Sequence, residues 1–138
     1  MKRFACGFAG LLILGELVLL GCGNSSRQLK SITVSPATAD AKNFPNGQVP
    51  FTATGTYSSP PSPSPLTSND VQWCVGSSSG ACAGNIIPGA TVDSNGVAQC
   101  GSVFTGTAFV LAGTEGSVSN PDSGQQFKIF GSAQITCP

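Results

Sequence analysis

The chain has 138 residues, of which 6 are basic and 6 are acidic, and it contains no histidine. This length allows one domain of ordinary size. The balanced charge argues against nucleic acid as a partner, because proteins that bind nucleic acid carry a basic surface. The lack of histidine removes the commonest general base and metal ligand, so the composition favours a non-catalytic protein.

The N-terminus has the features of an export signal. Lys2 and Arg3 precede a largely apolar stretch over residues 4–20, which is short for a permanent transmembrane helix. It ends at Leu19-Leu20-Gly21-Cys22, a segment that resembles the lipobox of bacterial lipoproteins. An ordinary signal peptide or a signal anchor with a chance cysteine is the alternative.

The lipobox resemblance implies a division of the chain into a signal peptide (1–21), a lipidated tether (22–29) and a domain (30–138). The thiol of Cys22 would carry the lipid, and two or three acyl chains anchor a protein stably. Gly23 follows the cysteine where inner-membrane retention would need Asp. We therefore expect a bacterial envelope protein, anchored by lipid at the outer membrane or the cell surface.

The remaining cysteines predict disulfide bonds. An even number of cysteines in a short exported chain is typical of a disulfide framework. Their spacing lacks the C-x₂-C pattern of zinc sites, so no metal is expected. Three pairings are open for these residues: Cys74, Cys82, Cys100 and Cys137.

The first half of the domain shows strand patterns and no helix pattern. Ile32 and Val34 alternate with polar residues until Pro36 ends the run. Residues 49–57 place apolar or small side chains at every second position, with Thr52, Thr54 and Thr56 between them. The proline-rich run 60–65 cannot donate ladder hydrogen bonds, so we expect a surface connection there.

The second half predicts further short strands. Trp73, the only tryptophan, alternates with Val71 and Val75 and is expected to anchor the core. Asp93-Ser94-Asn95-Gly96 predicts a tight turn in which Asp93 is a turn residue rather than a calcium ligand. The remaining predicted strands cover residues 86–88, 90–92, 97–100, 108–112 and 126–137, with a loop at 113–124. Seven or eight short strands favour a β-sandwich.

The order of these segments is similar to a known family. Residues 31–36 (SITVSP), 51–57 (FTATGTY), 71–73 (VQW), 90–98 (ATVDSNGVA), 106–108 (GTA) and 131–136 (GSAQIT) resemble a bacterial immunoglobulin-like domain of group 2. The resemblance covers roughly residues 30–137. It implies an immunoglobulin-like β-sandwich of about seven to eight strands, found in adhesins and other surface proteins, without a shared catalytic site.

The cysteines depart from that family, which usually lacks them. Cys137 keeps the inward parity of Ala133 and Ile135, so a bond from Cys100 would tie the last strand to the sheet. A bond from Cys74 to Cys82 would close the loop after Trp73. Free or intermolecular thiols are the alternative.

Phe109 and Leu111 also depart from the family. Their neighbours in the strand have inward parity, so both side chains are expected to face outward and to form a contact patch. Cover by residues 113–124 or by the proline-rich segment is the alternative. Residues 58–69 and 113–124 form longer loops than the family has, and are weaker candidates for partner contact.

These observations predict a lipid-anchored, non-catalytic adhesion or structural module. We expect no cofactor, and a protein or polysaccharide partner besides the membrane. The alternative is a periplasmic accessory subunit of an envelope complex, in which a fixed partner covers the Phe109 patch.

Overall fold

The structure is a computed structural model that describes residues 26–80, 89–115 and 127–138, with the side chain of Glu115 excepted. The predicted signal peptide, Cys22 and the predicted strand 86–88 lie outside these residues. The described residues are all-β, with two short 3-10 turns at Ala41–Asn43 and Pro45–Gly47. Their strands are β1 (Leu29–Ser35), β2 (Thr38–Asp40), β3 (Gln48–Pro50), β4 (Thr52–Tyr57), β5 (Ser64–Leu66), β6 (Gln72–Gly76), β7 (Ala90–Val92), β8 (Val97–Cys100), β9 (Gly106–Glu115) and β10 (Phe127–Cys137).

The strands form a β-sandwich, as the sequence predicts, although the described residues hold ten strands rather than seven or eight. One layer is a four-stranded sheet in the order β2-β10-β9-β6. The other layer is built from β1-β4-β5 and β3-β8-β7. The two layers approach closely where a β-carbon added to Gly131 of β10 would meet the backbone of Ile32 in β1.

The predicted strand 49–57 has the expected alternation but is interrupted. Val49, Phe51 and Ala53 are buried, whereas Thr52 is exposed. The break falls at Phe51, whose N–H donates to the carbonyl of Gly96 at 2.9 Å. On the β3 side of this break the chain pairs with β8, and on the β4 side with β1 and β5. The partner therefore changes at the middle of the strand.

The chain changes layers between β1 and β2. β1 pairs antiparallel with β4, Pro36 follows it, and β2 then runs parallel to β10 with Thr38 opposite Gln134. The N–H of Gln134 also donates to the carbonyl of Ala37 at 2.9 Å. β1 and β2 thus run in the direction of β10, from the Arg27 end of the domain to the Cys137 end.

The proline-rich run contributes to a strand that the sequence did not predict. Ser64–Leu66 forms β5, in which Pro65 lies opposite Thr54. β5 is the edge of its sheet, and proline is tolerated on edge strands because one side of the ladder needs no N–H donor.

The core lies between the two layers, and its centre is not where the sequence placed it. Phe51, Ile135, Val49 and Val110 are among the largest fully buried side chains. Trp73 is half-buried and packs against the margin of the core. The expectation that Trp73 anchors the centre of the core is therefore wrong, because β6 is an edge strand whose inward side chains meet the rim of the sandwich.

Candidate functional site

Trp73 lies in an open groove on the side of the domain. Two neighbouring cavities of about 520 and 320 Å³ share Trp73, Ser68 and Ser94 in their walls. The larger one lies beside the break at Phe51, where the chain passes from β3, which pairs with β8, to β4, which pairs with β5. We call the two cavities together the Trp73 groove. A volume of this order is typical of ligand pockets in proteins.

The lining of the Trp73 groove combines apolar surface with neutral hydrogen-bonding groups. Phe51, Leu66 and Trp73 contribute the larger apolar side chains, and Ser94 and Asn95 contribute a hydroxyl and an amide. Among the described residues that line either cavity, none is charged. The groove therefore suits a neutral ligand with both apolar and polar faces.

One wall is the turn between β7 and β8, which Asp93 holds in shape. The Asp93 Oδ1 accepts hydrogen bonds from the backbone N–H groups of Asn95 at 2.9 Å and Val97 at 2.8 Å. The N–H of Asp93 donates to the carbonyl of Val97 at 3.0 Å. Asp93 is thus a turn residue, as the sequence predicts, and its carboxylate is occupied by backbone donors.

The opposite wall is the turn between β5 and β6, which Asp70 holds in the same way. The Asp70 Oδ2 accepts from the Thr67 N–H at 2.8 Å and from the Thr67 hydroxyl at 2.7 Å. The Thr67 N–H and then its hydroxyl hold the pKa of the Asp70 carboxyl below its ordinary value. Both walls are therefore fixed by a carboxylate before any ligand arrives.

The indole of Trp73 is itself fixed by a close approach to Gly96. A β-carbon added at Gly96 would lie 2.8 Å from Cζ2 of Trp73 and 2.6 Å from the carbonyl oxygen of Phe51. Gly96 also has a φ of +82°, a conformation that favours glycine. Only glycine at this turn position leaves room for the indole beside the β7–β8 turn.

The predicted contact patch is only half present. Leu111 is 0% exposed, which contradicts its expected exposure, and Phe109 is half-buried. Ala108, Val110 and Ala112 belong to the core cluster, whereas Leu111 does not. Leu111 therefore lies on the opposite face of β9, as its parity predicts. The parity argument was therefore correct, but the expectation that this face is open was wrong.

Neighbouring side chains explain why the outer face is closed. Leu111 lies directly opposite Cys74 of β6, and directly opposed residues share a face of the sheet. Cys74 is disulfide-bonded. Gly113 lies two residues after Leu111 in β9. The ring of Phe127 occupies the space that a β-carbon at Gly113 would need. The outer face of β9 is thus closed at Leu111, whereas Phe109 on the same face is only half-buried.

One of the two predicted disulfides is present among the described residues. Cys100 and Cys137 are bonded, with their Cα atoms 5.7 Å apart, and Cys137 is buried as its parity predicts. Cys82, the predicted partner of Cys74, lies outside the described residues. The Cys100–Cys137 bond ties the end of β10 to β8.

The N-terminal tether is docked on the domain where it enters β1. The guanidinium of Arg27 lies 3.4 Å from the centroid of the Tyr57 ring, and Arg27 donates to the carbonyl of Pro61. Gln28 and Ser58 exchange hydrogen bonds at 2.8 and 3.0 Å. The predicted loop 58–69 therefore holds the tether with its first half and lines the Trp73 groove with its second.

A further cavity lies at the end of the domain opposite to the tether. It has a volume of about 580 Å³, and Phe44, Lys42 and Cys100 line it. Lys42 forms an ion pair of 2.8 Å with Asp40. The hydrogen bond between these side chains lowers the pKa of Asp40 and raises the pKa of Lys42. Both side chains are already paired with each other.

Two features are absent from the part of the chain that the structure describes. Across residues 26–80, 89–115 and 127–138, the structure has no group of three or more metal-ligating side chains. Within the same ranges, no helix has the length and apolar character needed to cross a membrane.

Comparisons with known proteins leave the family open. No protein-family model matches the chain, and no curated protein shows significant similarity to it. The resemblance to the group 2 bacterial immunoglobulin-like domain rests on the segments quoted from the sequence and stays a prediction.

Sequence reasoning missed most of the Trp73 groove. It singled out the loop 58–69, which supplies Ser68, but it assigned Trp73 to the core and Ser94 and Asn95 to an ordinary turn. The signal was present in part, because the only tryptophan directly precedes the loop between Cys74 and Cys82. Nothing in the sequence placed the β7–β8 turn beside it.

Proposed function

We propose that this protein is a lipid-anchored, non-catalytic binding or structural module of the bacterial cell envelope, built on a group 2 immunoglobulin-like domain. The observation that supports export most strongly is the bond between Cys100 and Cys137, since structural disulfides persist in oxidising compartments. The lipobox-like segment ending at Cys22 supplies the anchor in this proposal.

The docked tether supports a close approach to the membrane. Arg27 is held on Tyr57 and Pro61, so only residues 22–26 would separate the lipid from the domain. A chain of that length spans at most about 17 Å. The domain would stand on its Arg27 end, with the Cys100–Cys137 bond at the far end and the Trp73 groove on its side.

The accessory-subunit alternative loses its main argument. It required a fixed partner to cover an apolar patch at Phe109 and Leu111, but Leu111 is already buried within the chain itself. No described contact favours that alternative over the surface module.

Metabolic labelling with an alkyne fatty acid tests the anchor. The full chain, a Cys22→Ala variant and a Cys6→Ala control are expressed in a bacterium, and the membrane fraction is separated. We expect label and membrane association in the wild type and in Cys6→Ala, and loss of both in Cys22→Ala. Label that persists in Cys22→Ala, or that is absent from the wild type, would refute the anchor.

A further inference from the structure

We infer that the Trp73 groove is a binding site for a neutral polysaccharide. This inference deepens the proposed function and rests on it, since it assigns the ligand class and the site of the proposed binding module. Neither the outer face of β9 nor the far-end cavity fits this role as well, because the first is closed at Leu111 and the second lies beside the Lys42–Asp40 ion pair.

The apolar part of the groove matches the C–H face of a sugar ring. Trp73 is half-buried, so part of its indole contacts the core and part remains available in both cavities. Aromatic side chains with an apolar body and a wet edge are well suited to ligands that are themselves amphipathic. Leu66 extends this apolar surface along the larger cavity.

The polar part of the groove matches sugar hydroxyls. Ser68 and Ser94 border both cavities, and Asn95 borders the larger one. Hydroxyl and amide side chains both donate and accept hydrogen bonds, as sugar hydroxyls do. Ammonium, guanidinium and carboxylate groups are absent from the described lining, so the arrangement favours an uncharged glycan over an acidic or basic one.

The walls of the groove are preorganised. Asp93 accepts two backbone N–H bonds in one wall and Asp70 accepts an N–H and a hydroxyl in the other. These bonds engage one carboxylate oxygen of each aspartate and fix the turns that carry Ser94, Asn95 and Ser68. A rigid site loses less conformational freedom on binding, which raises affinity.

The single tryptophan provides a direct reporter of this groove. Purified full-length protein is titrated with soluble neutral oligosaccharides of six sugar units: β-1,4- and β-1,3-glucans, α-1,4-glucan, mannan and xylan. Hexagalacturonate and hexameric chitosan are the anionic and cationic controls. We expect a saturable change in Trp73 emission with at least one neutral glycan, and none with the charged oligomers.

Variants separate the groove from the rest of the surface. Asn95→Ala removes one neutral hydrogen-bonding group and is expected to weaken binding about fivefold. Trp73→Ala, followed by affinity electrophoresis in a gel containing the same glycan, is expected to weaken it by at least about tenfold. Thr33→Ala, on the exposed side of β1, is the matched control and should bind as the wild type does.

Three outcomes would overturn the inference. They are no response to any neutral glycan at millimolar concentration, preferential binding of a charged oligomer, and equal binding by Asn95→Ala and Thr33→Ala. The result is independent of the anchor. Membrane labelling that fails while glycan binding succeeds would remove the proposed lipid anchor only, and the converse would remove the groove only.

Discussion

Two apolar positions on neighbouring strands, Leu111 of β9 and Trp73 of β6, have exchanged the roles that the sequence predicts for them. Leu111 was expected to be exposed and is 0% exposed. Trp73 was expected at the core centre and is half-buried at the edge of a groove. They lie on opposite faces of one strand pair, since Ala112 opposes Trp73 and Leu111 opposes Cys74.

The difference teaches that strand parity decides which face a side chain occupies but not whether that face is covered. Parity is local, because alternate side chains point to opposite sides of a strand. Cover depends on what the rest of the chain lays over the face. Variants on either face and in the two groove walls therefore separate the effect of parity from the effect of cover.

The largest effect is expected at the disulfide, which holds the core that both faces share. The double variant Cys100→Ser/Cys137→Ser should lower the free energy of unfolding by about 4 kcal/mol, since the bond closes a loop with a sequence separation of 37. Urea unfolding of the oxidised proteins measures this. A loss below about 1 kcal/mol would show that β10 is held without the bond.

Leu111→Ala tests the closed face. Truncation of a fully buried leucine should cost about 3 kcal/mol of unfolding free energy, because it removes apolar contacts and leaves a cavity. Val103→Ala is the control, since Val103 is 82% exposed, and it should change stability by less than about 0.5 kcal/mol. Equal effects of the two variants would mean that Leu111 lies on an open surface.

Gly96→Ala tests the groove wall. The new β-carbon would meet Trp73 and the Phe51 carbonyl in a backbone conformation that disfavours alanine, so we expect a loss of about 2 kcal/mol and a shift in Trp73 emission. Gly47→Ala is the matched control. Gly47 has a φ of +67° with nothing within 4 Å of the added carbon, so emission should stay unchanged there.

Asp93→Ala tests whether the β7–β8 turn is fixed by its carboxylate. Two backbone N–H groups would lose their acceptor, and the unfolding free energy should fall by about 1 kcal/mol. Ser94→Ala, at the next and exposed position, should have little effect on stability. If both variants unfold at the same urea concentration as the wild type, the turn holds its shape by other means.

The smallest effect is expected for the pH dependence of stability that Asp70 contributes in the β5–β6 wall of the groove. The pKa of Asp70 lies below its ordinary value of 3.8 in the folded protein because Thr67 donates to it. Its contribution to stability is therefore complete above that ordinary value and is lost as the pH falls through the depressed pKa. NMR titration should give a low Asp70 pKa, and Asp70→Asn should remove this part of the acid dependence. An ordinary Asp70 pKa would contradict the wall geometry.

Much of the fold could be predicted from local patterns. The alternation of Val49, Phe51 and Ala53 predicted their burial, and strand parity predicted the inward position of Cys137. The sequence Asp93-Ser94-Asn95-Gly96 predicted the tight turn that the structure has between β7 and β8. Each of these features depends on residues close in sequence or on the period of a strand.

The features that escaped prediction depend on distant residues. The parallel pairing of β2 with β10 joins Thr38 to Gln134, and a three-residue segment carries no periodic signal for it. Pro65 lies in an edge strand opposite Thr54, a partner outside the proline-rich run. The Trp73 groove forms only because the break at Phe51 brings the β7–β8 turn beside the indole, which no local pattern contains.

Acrylamide quenching of the single tryptophan tests most directly that Trp73 lies in an open groove. We expect an emission maximum and a quenching constant between those of a buried indole and of a free tryptophan, with full exposure after unfolding in urea. A folded protein whose tryptophan emission is as blue and as resistant to quenching as a fully buried indole would contradict it.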